Sequence, residues 1–456
     1  MMRTLAEFAR TCGGRLQGAD RSYGGVSTDS RTLQVGELFV ALRGPRFDGS
    51  EFVGAALTAG AAGAVVTGPH PAAIAQIVVA DTQAALARAA AAWRNNFDIP
   101  VIGVAGSNGK TTVKEMIAAI LSQAGATLAT RGNLNNHIGV PLTLFRLEAA
   151  HRFAVIEMGA NRAGDVAELV AIARPGVGLI TNAGAEHLEG FGTLEGVARA
   201  EGEMVAGLAP GATAVINADD EFAGLWRNST PARVVTFGLQ RDADFIAREL
   251  HADVDASGFR TRFTLTSPLG STPIELRLAG RHNVANSLAA AAAAAAAGVG
   301  LEAIRAGLAS MRAVQGRLQL KRAASGAWII DDSYNANPSS VRAGIEVLAG
   351  LEGRRWLVLA DMAELGAFAQ SAHAEMGQFA RERGIERLFA TGALAALAVE
   401  GFGPGGQWYP DSETLAAALA AEANADVRIL IKGSRVNRLE RIVDALTGAA
   451  ARRPGS

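Results

Sequence analysis

The spacing of hydrophobic and polar residues changes several times along the chain and divides it into three sections. Up to about residue 85, short apolar runs alternate with glycine-rich turns, which predicts short strands such as residues 38–42 and 64–67. Residues 82–96 then have the periodicity of an amphipathic helix. We therefore predict a small α/β domain at the N-terminus, followed by a connecting helix.

From residue 99 onward the order becomes apolar strand, glycine-rich turn and amphipathic helix, as in IPVIGVAG, SNGKTT and VKEMIAAILSQAG. The same order returns in FAVIEMGA and AGDVAELVAIARP, and further strands are predicted at VGLITNAG and TAVINADD. Strands that alternate with helices favour a parallel, doubly wound sheet. Residues 259–265 and 274–278 alternate instead like the strands of a hairpin, which predicts an antiparallel addition to this sheet.

An alanine run at residues 289–297 is the longest apolar stretch of the chain. It is too short to span a membrane, and polar Asn283, Asn286 and Ser287 precede it. We interpret it as a tightly packed helix, whose small side chains let another element come close.

After about residue 313 a second α/β pattern begins, with strands predicted at WIIDDS, RWLVLADM, RLFATG and VRILIKGS. The predicted domains are therefore residues 1–85, 86–313 and 314–456. The fold class is α/β in three domains: a small N-terminal α/β domain, a central P-loop-type domain with a mostly parallel doubly wound sheet, and a C-terminal Rossmann-like α/β domain.

Composition narrows the classes of function. A chain of 456 residues is too long to form a single hydrophobic core, so we expect two or three domains. Its charges nearly balance, with 43 Lys plus Arg against 44 Asp plus Glu. Without a basic excess we expect no nucleic-acid partner, and anionic ligands must be bound by local sites. The single Cys12 excludes an internal disulfide and fits a reducing compartment. The N-terminus carries Glu7 and no apolar segment, so we expect a cytoplasmic protein without membrane insertion, and we expect a monomer.

The most specific motif is a phosphate-binding loop. It follows strand 101–105 and opens helix 113–122, the context such a loop requires. Its backbone N–H groups and helix N-terminus would bind ATP phosphates, Lys110 would neutralise the β- and γ-phosphates, and Thr111 would offer its hydroxyl to Mg²⁺. Val104 stands where the longer form of the motif has a glycine, so the match is to the shorter GxxGK(T/S) form. The alternative is a glycine-rich turn with an incidental lysine. The loop residues are Gly106, Ser107, Asn108, Gly109, Lys110, Thr111 and Thr112.

Further segments resemble the Mur ligases, a family of ATP-dependent amide-bond ligases. They are GNLNNHIGVPLTL, EMGAN, TNAGAEHLEGFGT, GRHNVANSLAA, DDSYNANPSS, ADMAELG and IKGSRVNRLE, and the resemblance runs from about Ser27 to Glu440. It implies ATP and Mg²⁺ as cofactors and a carboxylate that is phosphorylated before an amine attacks the acyl phosphate. SYNANP and KGSR are similar to the members whose substrates are UDP-N-acetylmuramoyl-tripeptide and D-alanyl-D-alanine.

Two kinds of alternative remain open. Another amide ligase of the family, such as the one that adds the third residue or a folyl-polyglutamate synthase, should lack SYNANP. A nucleotide-gated ATPase would hydrolyse ATP without an amine acceptor and would not need a UDP-sugar domain. A dinucleotide-dependent oxidoreductase is disfavoured, because no GxGxxG follows the first strand of either α/β unit.

Three residues are candidate metal ligands beside Thr111. Glu157 ends an apolar strand, where a carboxylate is costly unless it meets a cation; a salt bridge is the alternative. The resemblance places His187 at the family's second metal, although a loop histidine is ordinarily a surface residue. Glu201 stands where the family usually has a CO₂-modified lysine, and no lysine lies between Lys114 and Lys321. Glu201 is either a substitute ligand or a helix-surface charge.

The resemblance also implies a nucleotide site. Asn283 and Asn286 lie three residues apart, so they share a helix face, and their carboxamides suit an adenine edge. Helix capping by Asn283 is the alternative. Arg317 resembles the family's phosphate-binding residue and Asp332 its ribose-binding residue; an interdomain salt bridge is the alternative for Arg317. The predicted catalytic residues are Lys110, Glu157, His187 and Arg317.

The substrate-binding residues are predicted from the resemblance alone. An N-terminal group for uracil and pyrophosphate comprises Ser27, Thr28, Asp29, Ser30 and Arg31. A group facing the muramoyl-peptide comprises Asn133, Asn135, Asn136 and His137. For the dipeptide, Tyr334, Asn335 and Asn337 would orient the amine and amide, and Lys432 and Arg435 would bind a carboxylate or phosphate. KGSR is alternatively a loop of solvated cations.

Overall fold

The computed structural model describes residues 3–44, 47–186, 188–255 and 258–448. The N-terminal part contains β1 (Arg15–Gln17), β2 (Val26–Ser27), β3 (Leu38–Val40), β4 (Arg43–Gly44), β5 (Phe47–Asp48), β6 (Gly63–Val66) and β7 (Gln76–Val78), with α1 (Leu5–Cys12), α2 (Val53–Thr58) and α3 (Thr82–Arg94). Five strands form a sheet in the order β1-β7-β6-β3-β2, in which β1 is antiparallel to β7 and the other neighbours are parallel. β4 and β5 form a separate antiparallel pair.

The central part contains the largest sheet. Its strands are β8 (Val101–Ala105), β9 (Thr127–Ala129), β10 (Phe153–Glu157), β11 (Val177–Ile180), β12 (Thr213–Asn217), β13 (Arg233–Gly238), β14 (Phe245–Asp255), β15 (Gly258–Ser267) and β16 (Gly270–Leu276). The order is β16-β15-β14-β13-β12-β11-β8-β10-β9. From β9 to β14 all neighbours are parallel, and β14, β15 and β16 are antiparallel. The predicted hairpin is confirmed, and β14 adds a strand that the sequence pattern did not indicate.

Helices cover both faces of this sheet, as a doubly wound fold requires. They are α4 (Lys110–Leu121), α5 (Gly139–Leu144), α6 (Asp165–Ala173), α7 (Leu188–Phe191), α8 (Leu194–Ala206), α9 (Ala223–Ser229), α10 (Arg281–Ala296) and α11 (Leu301–Ser310). Alternate residues of β8 point to opposite faces: Ile102 and Val104 pack with α4, α10 and α11, and Val101 and Ala105 pack with α5, α6 and α8. All four side chains are buried.

The alanine run forms a buried helix, as predicted. Residues 289–294 of α10 are at most 1% exposed. The neighbouring helix α11 also packs closely on α4, since a Cβ atom at Gly307 would lie 2.4 Å from the Cα of Ile120. Small side chains therefore let this helical layer pack tightly. In the part of the chain that the structure describes, no helix is long and apolar enough to cross a membrane.

The C-terminal part is a second α/β unit. It contains β17 (Gln319–Arg322), β18 (Trp328–Asp332), β19 (Arg354–Ala360), β20 (Arg387–Thr391), β21 (Gly406–Tyr409) and β22 (Val427–Lys432), with α12 (Pro338–Ala349), α13 (Ala369–Glu382), α14 (Ala395–Phe402), α15 (Ser412–Glu422) and α16 (Glu440–Thr447). The order is β17-β18-β22-β19-β20-β21, parallel except for β17. The predicted fold class is confirmed in all three parts.

The proposed domain boundaries near residues 85 and 313 lie between these sheets and stay predictions. Residue 85 falls inside α3, which packs against α1 on one side and against α5 and α6 on the other. Leu86 and Trp93 of α3 share one apolar cluster with Phe8 and Leu169. The N-terminal and central parts are thus joined by continuous packing through this helix.

Candidate active site

Two glycines give the phosphate loop its backbone conformation. Gly106 and Gly109 have φ values of +117° and +84°, in the left-handed region that residues with a Cβ atom rarely adopt. A Cβ at Gly106 would also lie 2.8 Å from the backbone nitrogen of Thr181, and one at Gly109 would lie 2.6 Å from Oδ1 of Asn286. The loop therefore needs glycine at both positions, for conformation and for space.

The segment that follows β11 forms several hydrogen bonds with the phosphate loop. The Ser107 N–H donates to the carbonyl of Asn182, and the Asn108 N–H donates to its side-chain oxygen at 3.0 Å. Nδ2 of Asn182 donates to the carbonyl of Asn108 at 3.0 Å, and the Gly184 N–H donates to the Ser107 hydroxyl at 2.8 Å. These hydrogen bonds hold the phosphate loop against the segment that follows β11.

Lys110 begins α4 and bends back over the loop. Its Nζ donates to the carbonyls of Gly106 and Ser107, the latter at 3.1 Å, and to Oε1 of Glu186 at 3.2 Å. Burial lowers the pKa of Lys110, but the nearby carboxylates of Glu186, Glu201 and Glu157 outweigh it and raise the pKa overall. Lys110 is therefore a fixed positive charge at the place where phosphates would bind.

Glu157 is the last residue of β10 and is 2% exposed. Its Oε1 accepts from Nδ2 of Asn135 at 2.9 Å. Its Oε2 is buried and has no hydrogen-bond partner among the described residues. A buried carboxylate oxygen without a partner is costly, and the cavity beside the phosphate loop is where a cation would relieve that cost. The donor chemistry here fits a hard cation such as Mg²⁺.

Glu201 lies on α8 beneath the phosphate loop and is 1% exposed, so the interpretation as a helix-surface charge is wrong. Its Oε2 accepts from the Gly106 N–H at 2.6 Å. Burial raises the pKa of Glu201 to about 7, although the nearby Lys110 lowers it. Glu201 therefore supports the loop through a hydrogen bond, and its charge lies close to that of Lys110.

The two other predicted catalytic residues are His187 and Arg317, and the structure describes only Arg317. His187 lies outside the described residues. Arg317 comes from the C-terminal part and donates from Nη2 to the Thr111 hydroxyl at 3.1 Å. Its guanidinium also lies 4.6 Å from the centre of the Tyr334 ring. Arg317 therefore bridges the domains by a hydrogen bond to a hydroxyl, next to the phosphate loop.

Asn283 and Asn286 share one face of α10, as predicted. Nδ2 of Asn286 donates to Oδ1 of Asn283 at 3.2 Å, and Asn283 donates to the carbonyl of Ala279 at 2.7 Å. The helix begins at Arg281, and its N-cap residue is Gly280, so capping by Asn283 is excluded. Beside them, burial lowers the pKa of His282 to about 4, a shift that Asp332 opposes and Lys432 reinforces.

Asp332 and the buried Lys432 form an ion pair at the ends of β18 and β22. Nζ of Lys432 donates to Oδ2 of Asp332 at 2.5 Å and to the carbonyl of Asn335 at 3.0 Å. Oδ1 of Asp332 accepts from the Leu318 N–H at 3.2 Å. Lys432 is only 2% exposed, so the interpretation of KGSR as a loop of solvated cations is wrong for this residue.

The SYNANP segment of the C-terminal part faces the phosphate loop. Asn337 caps α12, with its Oδ1 accepting from the Ser340 N–H at 2.9 Å. Its Nδ2 donates to Oδ1 of Asn108 at 2.8 Å, across the domain boundary. Arg435 is largely exposed, lies 3.5 Å from Glu440 and extends over the Tyr334 ring.

Asn108 therefore joins the phosphate loop to the C-terminal part, since its Nδ2 also donates to the Ser339 hydroxyl at 3.0 Å. Each such hydrogen bond contributes roughly 1 kcal/mol. We expect Asn108→Ala to increase the radius of gyration of the ligand-free protein in small-angle scattering, because the domains separate more easily. Asn228→Ala, at an exposed position of α9, is the control. Equal radii for Asn108→Ala and the native protein would mean that these contacts do not hold the domains together.

Some of the predicted substrate-binding residues lie away from the phosphate loop and the SYNANP segment. Arg31 and Asp29 form an exposed ion pair of 2.7 Å in the N-terminal part, where Arg31 holds the pKa of Asp29 near 2. Ser27 ends β2, and Thr28 and Ser30 lie in the turn that follows it. Oδ1 of Asn136 accepts from the N–H groups of Ile138 and Gly139 at the start of α5. His137 lies 2.9 Å from Glu168.

Most of the other predicted site residues line one cavity of about 660 Å³. It lies between the phosphate loop, α10 and the C-terminal part. Sequence reasoning missed several of its residues, among them Asn182, Glu186, His282 and Ser339. These four lie in segments that carried the family resemblance. The predicted residues that line it are Ser107, Asn108, Gly109, Lys110, Thr111, Thr112, Asn133, Asn135, Glu157, Asn283, Asn286, Arg317, Asp332, Tyr334, Asn335, Asn337, Lys432 and Arg435.

A loop of this kind, between a parallel strand and a helix and facing a second α/β domain, defines a nucleotide-binding protein of the P-loop class. Residues 22–98 match the Mur ligase family, catalytic domain; residues 104–294 match the Mur ligase middle domain; and residues 316–435 match the Mur ligase, glutamate ligase domain. The chain belongs to the Mur ligase family.

Individual relatives agree with this. The chain is 44% identical to a UDP-N-acetylmuramoyl-tripeptide–D-alanyl-D-alanine ligase of Escherichia coli, over 97% of this chain and 98% of the relative. The crystal structure of MurF from Acinetobacter baumannii has a TM-score of 0.92 at 34% identity, covering 98% and 99% of the two chains. That of the MurF ligase from Thermotoga maritima in complex with ADP has a TM-score of 0.83 at 26% identity, covering 94% and 98%.

Proposed function

We propose that the protein joins D-alanyl-D-alanine to UDP-N-acetylmuramoyl-tripeptide with ATP, giving the UDP-linked pentapeptide, ADP and phosphate. The observation that carries this is the cavity in which the phosphate loop of the central part faces the SYNANP segment of the C-terminal part. The names of the similar ligases from E. coli and A. baumannii support the same substrates.

Each group of residues has a proposed task. The tripeptide carboxylate attacks the γ-phosphate of ATP and releases ADP; the dipeptide amine then attacks the acyl phosphate, and the tetrahedral intermediate expels phosphate. Lys110 and Arg317 would screen the charges that meet in the first step. Asn283 and Asn286 would hold adenine and Asp332 the ribose, while Tyr334, Asn335 and Arg435 would orient the dipeptide.

Divalent cation binding is part of the proposal. Mg²⁺ would be held by Glu157, whose Oε2 is buried without a partner among the described residues, and by the Thr111 hydroxyl. Bound there, it would neutralise negative charge on the phosphates. In the described part of the chain, no group of three or more His, Cys, Asp or Glu side chains is arranged to hold a metal. This fits Mg²⁺, which usually takes one or two carboxylates together with phosphates and water. His187 and Glu201 remain proposed contributors to a second cation.

The remaining substrate assignments and the cellular setting belong to the same proposal. Asn133, Asn136 and His137 would face the muramoyl-peptide, and the N-terminal turn at residues 27–31 would bind the UDP group. Such a reaction belongs to the synthesis of peptidoglycan precursors, and through it to cell shape and division. We propose a monomer that works in the cytoplasm, where the UDP-linked precursor and ATP meet.

Phosphate release from the purified protein tests the proposal. We expect release with ATP, Mg²⁺ and UDP-N-acetylmuramoyl-tripeptide to depend on D-alanyl-D-alanine, and mass spectrometry to show the tripeptide gaining the dipeptide. Single D- or L-amino acids and diaminopimelate serve as competing acceptors, which separates this activity from a third-residue ligase. Phosphate release that is indifferent to every amine would favour an ATPase and contradict the proposal.

A further inference from the structure

Lys114 is a buried lysine that the proposed reaction does not use. It lies in α4 four residues after Lys110, so the two cations share one face of the helix. Its side chain is 1% exposed. Both lie in the N-terminal half of a helix, where the helix dipole disfavours positive charge. A buried ammonium at such a position is retained only if its partners offset the cost of removing it from water.

Those partners are specific. Nζ of Lys114 donates to the carbonyl of Thr130 at 2.8 Å and to Oε1 of Glu115 at 2.6 Å. Glu115 is partly exposed, with a side-chain exposure of 41%, whereas Thr130 is 2% exposed. The contact with Thr130 is therefore the buried one. Thr130 directly follows β9, where the chain leaves the sheet toward Asn133 and Asn135.

Thr130 in turn fixes the end of the neighbouring strand. Its N–H donates to the carbonyl of Val155 at 3.1 Å, which continues the pairing of β9 with β10. Its hydroxyl accepts from the N–H of Glu157 at 3.0 Å. Five residues further on, Asn135 donates to Oε1 of the same glutamate at 2.9 Å. Both the backbone and the carboxylate of Glu157 are thus held from the segment that Lys114 anchors.

We propose that Lys114 is a positioning residue for the cation site: it fixes the Thr130 carbonyl, and the 130–135 segment then directs Oε2 of Glu157 toward the cavity. The inference rests on the proposed function, in which Glu157 holds the divalent cation. Residues that orient a ligand from outside typically change metal affinity by about 10- to 100-fold when they are substituted. Lys114 itself touches neither substrate nor cation.

The test measures Mn²⁺ binding by electron paramagnetic resonance in the presence of ADP, because Mn²⁺ prefers the same oxygen ligands as Mg²⁺. We expect Lys114→Met to raise the dissociation constant for Mn²⁺ by about tenfold or more. Lys114→Gln keeps a side-chain donor directed at Thr130 and should recover part of the affinity. Glu115→Gln leaves the buried contact in place and should bind Mn²⁺ like the native protein.

A general loss of stability must be separated from a loss of positioning. Leu308→Ala creates a cavity in the helix α11 that packs on α4, so it destabilises the same layer without touching the Lys114 contacts, and it should bind Mn²⁺ normally. If Lys114→Met does not fold, Lys114→Gln decides the role of Lys114, because it should still bind Mn²⁺ more weakly than the native protein. Thr130→Val, which removes the hydroxyl, and Thr130→Ser, which keeps it, test the next step, from Thr130 to Glu157. Of these two, only Thr130→Val should weaken Mn²⁺ binding.

The outcomes also distinguish this inference from the proposed function. If the native protein with ADP binds no Mn²⁺, or if Glu157→Gln binds it as well as the native protein does, the proposed cation site is wrong. If Glu157→Gln loses binding while Lys114→Met stays within about twofold of the native protein, the cation site stands and the positioning role of Lys114 is refuted. A change of twofold in the dissociation constant would be well below the change of about tenfold that is the smallest such orienting residues usually cause.

Discussion

Lys110→Met is expected to reduce the ligation rate by about a hundredfold to a thousandfold while the UDP-linked precursor still binds. Removing one preorganised charge from a site where negative charge develops commonly costs about 3–4 kcal/mol. The structure adds a second reason: without Lys110, the carboxylates of Glu186, Glu201 and Glu157 would face the nucleotide phosphates with their nearest cation removed. Single-turnover ligation and calorimetric binding of the precursor measure the two effects separately.

Glu186→Gln separates the two contributions. It removes the carboxylate that lies 3.2 Å from Nζ of Lys110 and leaves the lysine in place. The double variant with Lys110→Met should bind ATP better than the single Lys110→Met variant, because one repulsive charge is gone, yet ligate no faster. Ligation by Lys110→Met at a rate near that of the native protein would remove Lys110 from the mechanism.

The fold could be predicted from the sequence because its signals are local. Strand β8, the glycine-rich loop and helix α4 follow one another within about twenty residues, and each has a distinct periodicity. The alanine run was recognisable as a packed helix for the same reason. Strand β14 was not, because its register with β15 shifts at a bulge between Arg248 and His251, which interrupts the regular alternation of a strand.

The candidate site was predictable only in part, because side-chain roles depend on partners far away in sequence. Asn337 was assigned to substrate on resemblance, although the run of Asn, Pro and Ser at its position is also a signal for a helix N-terminus. The structure shows the cap and, in addition, the contact with Asn108, which is 229 residues distant. No pattern within the SYNANP segment encodes that second contact.

Glu201 shows the same limit for burial. On the sequence it is one of several charges in GVARAEGEM, and its neighbour Arg199 is indeed paired on the surface with Glu195. Only the fold reveals that Glu201 points inward, to the Gly106 N–H, while Glu203 accepts from the N–H groups of Gly164 and Ala167. Two residues in one turn of α8 thus bind the phosphate loop and the N-terminus of α6.

The buried position of Glu201 should make the stability of the protein depend on pH. Because the folded-state pKa is raised from 4.5 to about 7, the folded protein binds more protons than the unfolded chain between these values. The free energy of unfolding should therefore fall as pH rises through this range. A shift of this size corresponds to about 3 kcal/mol. Glu201→Gln keeps an acceptor for Gly106 but cannot titrate, so its stability should lack this contribution.

Urea unfolding with a chelator present, between pH 5 and 8, measures the effect as the difference between the native protein and Glu201→Gln, which cancels the other titrating groups. The native protein should be favoured at the acid end and lose that advantage as pH approaches and passes about 7. A difference that does not change with pH would show that Glu201 titrates normally.

Adding Mg²⁺ and ADP extends the test to the proposed second cation. If a cation contacts Glu201, it favours the charged carboxylate, and the pH dependence of the difference should shrink. If the dependence is unaffected while Glu157→Gln abolishes the stabilisation by Mg²⁺, Glu201 acts only through the Gly106 N–H and the neighbouring Lys110.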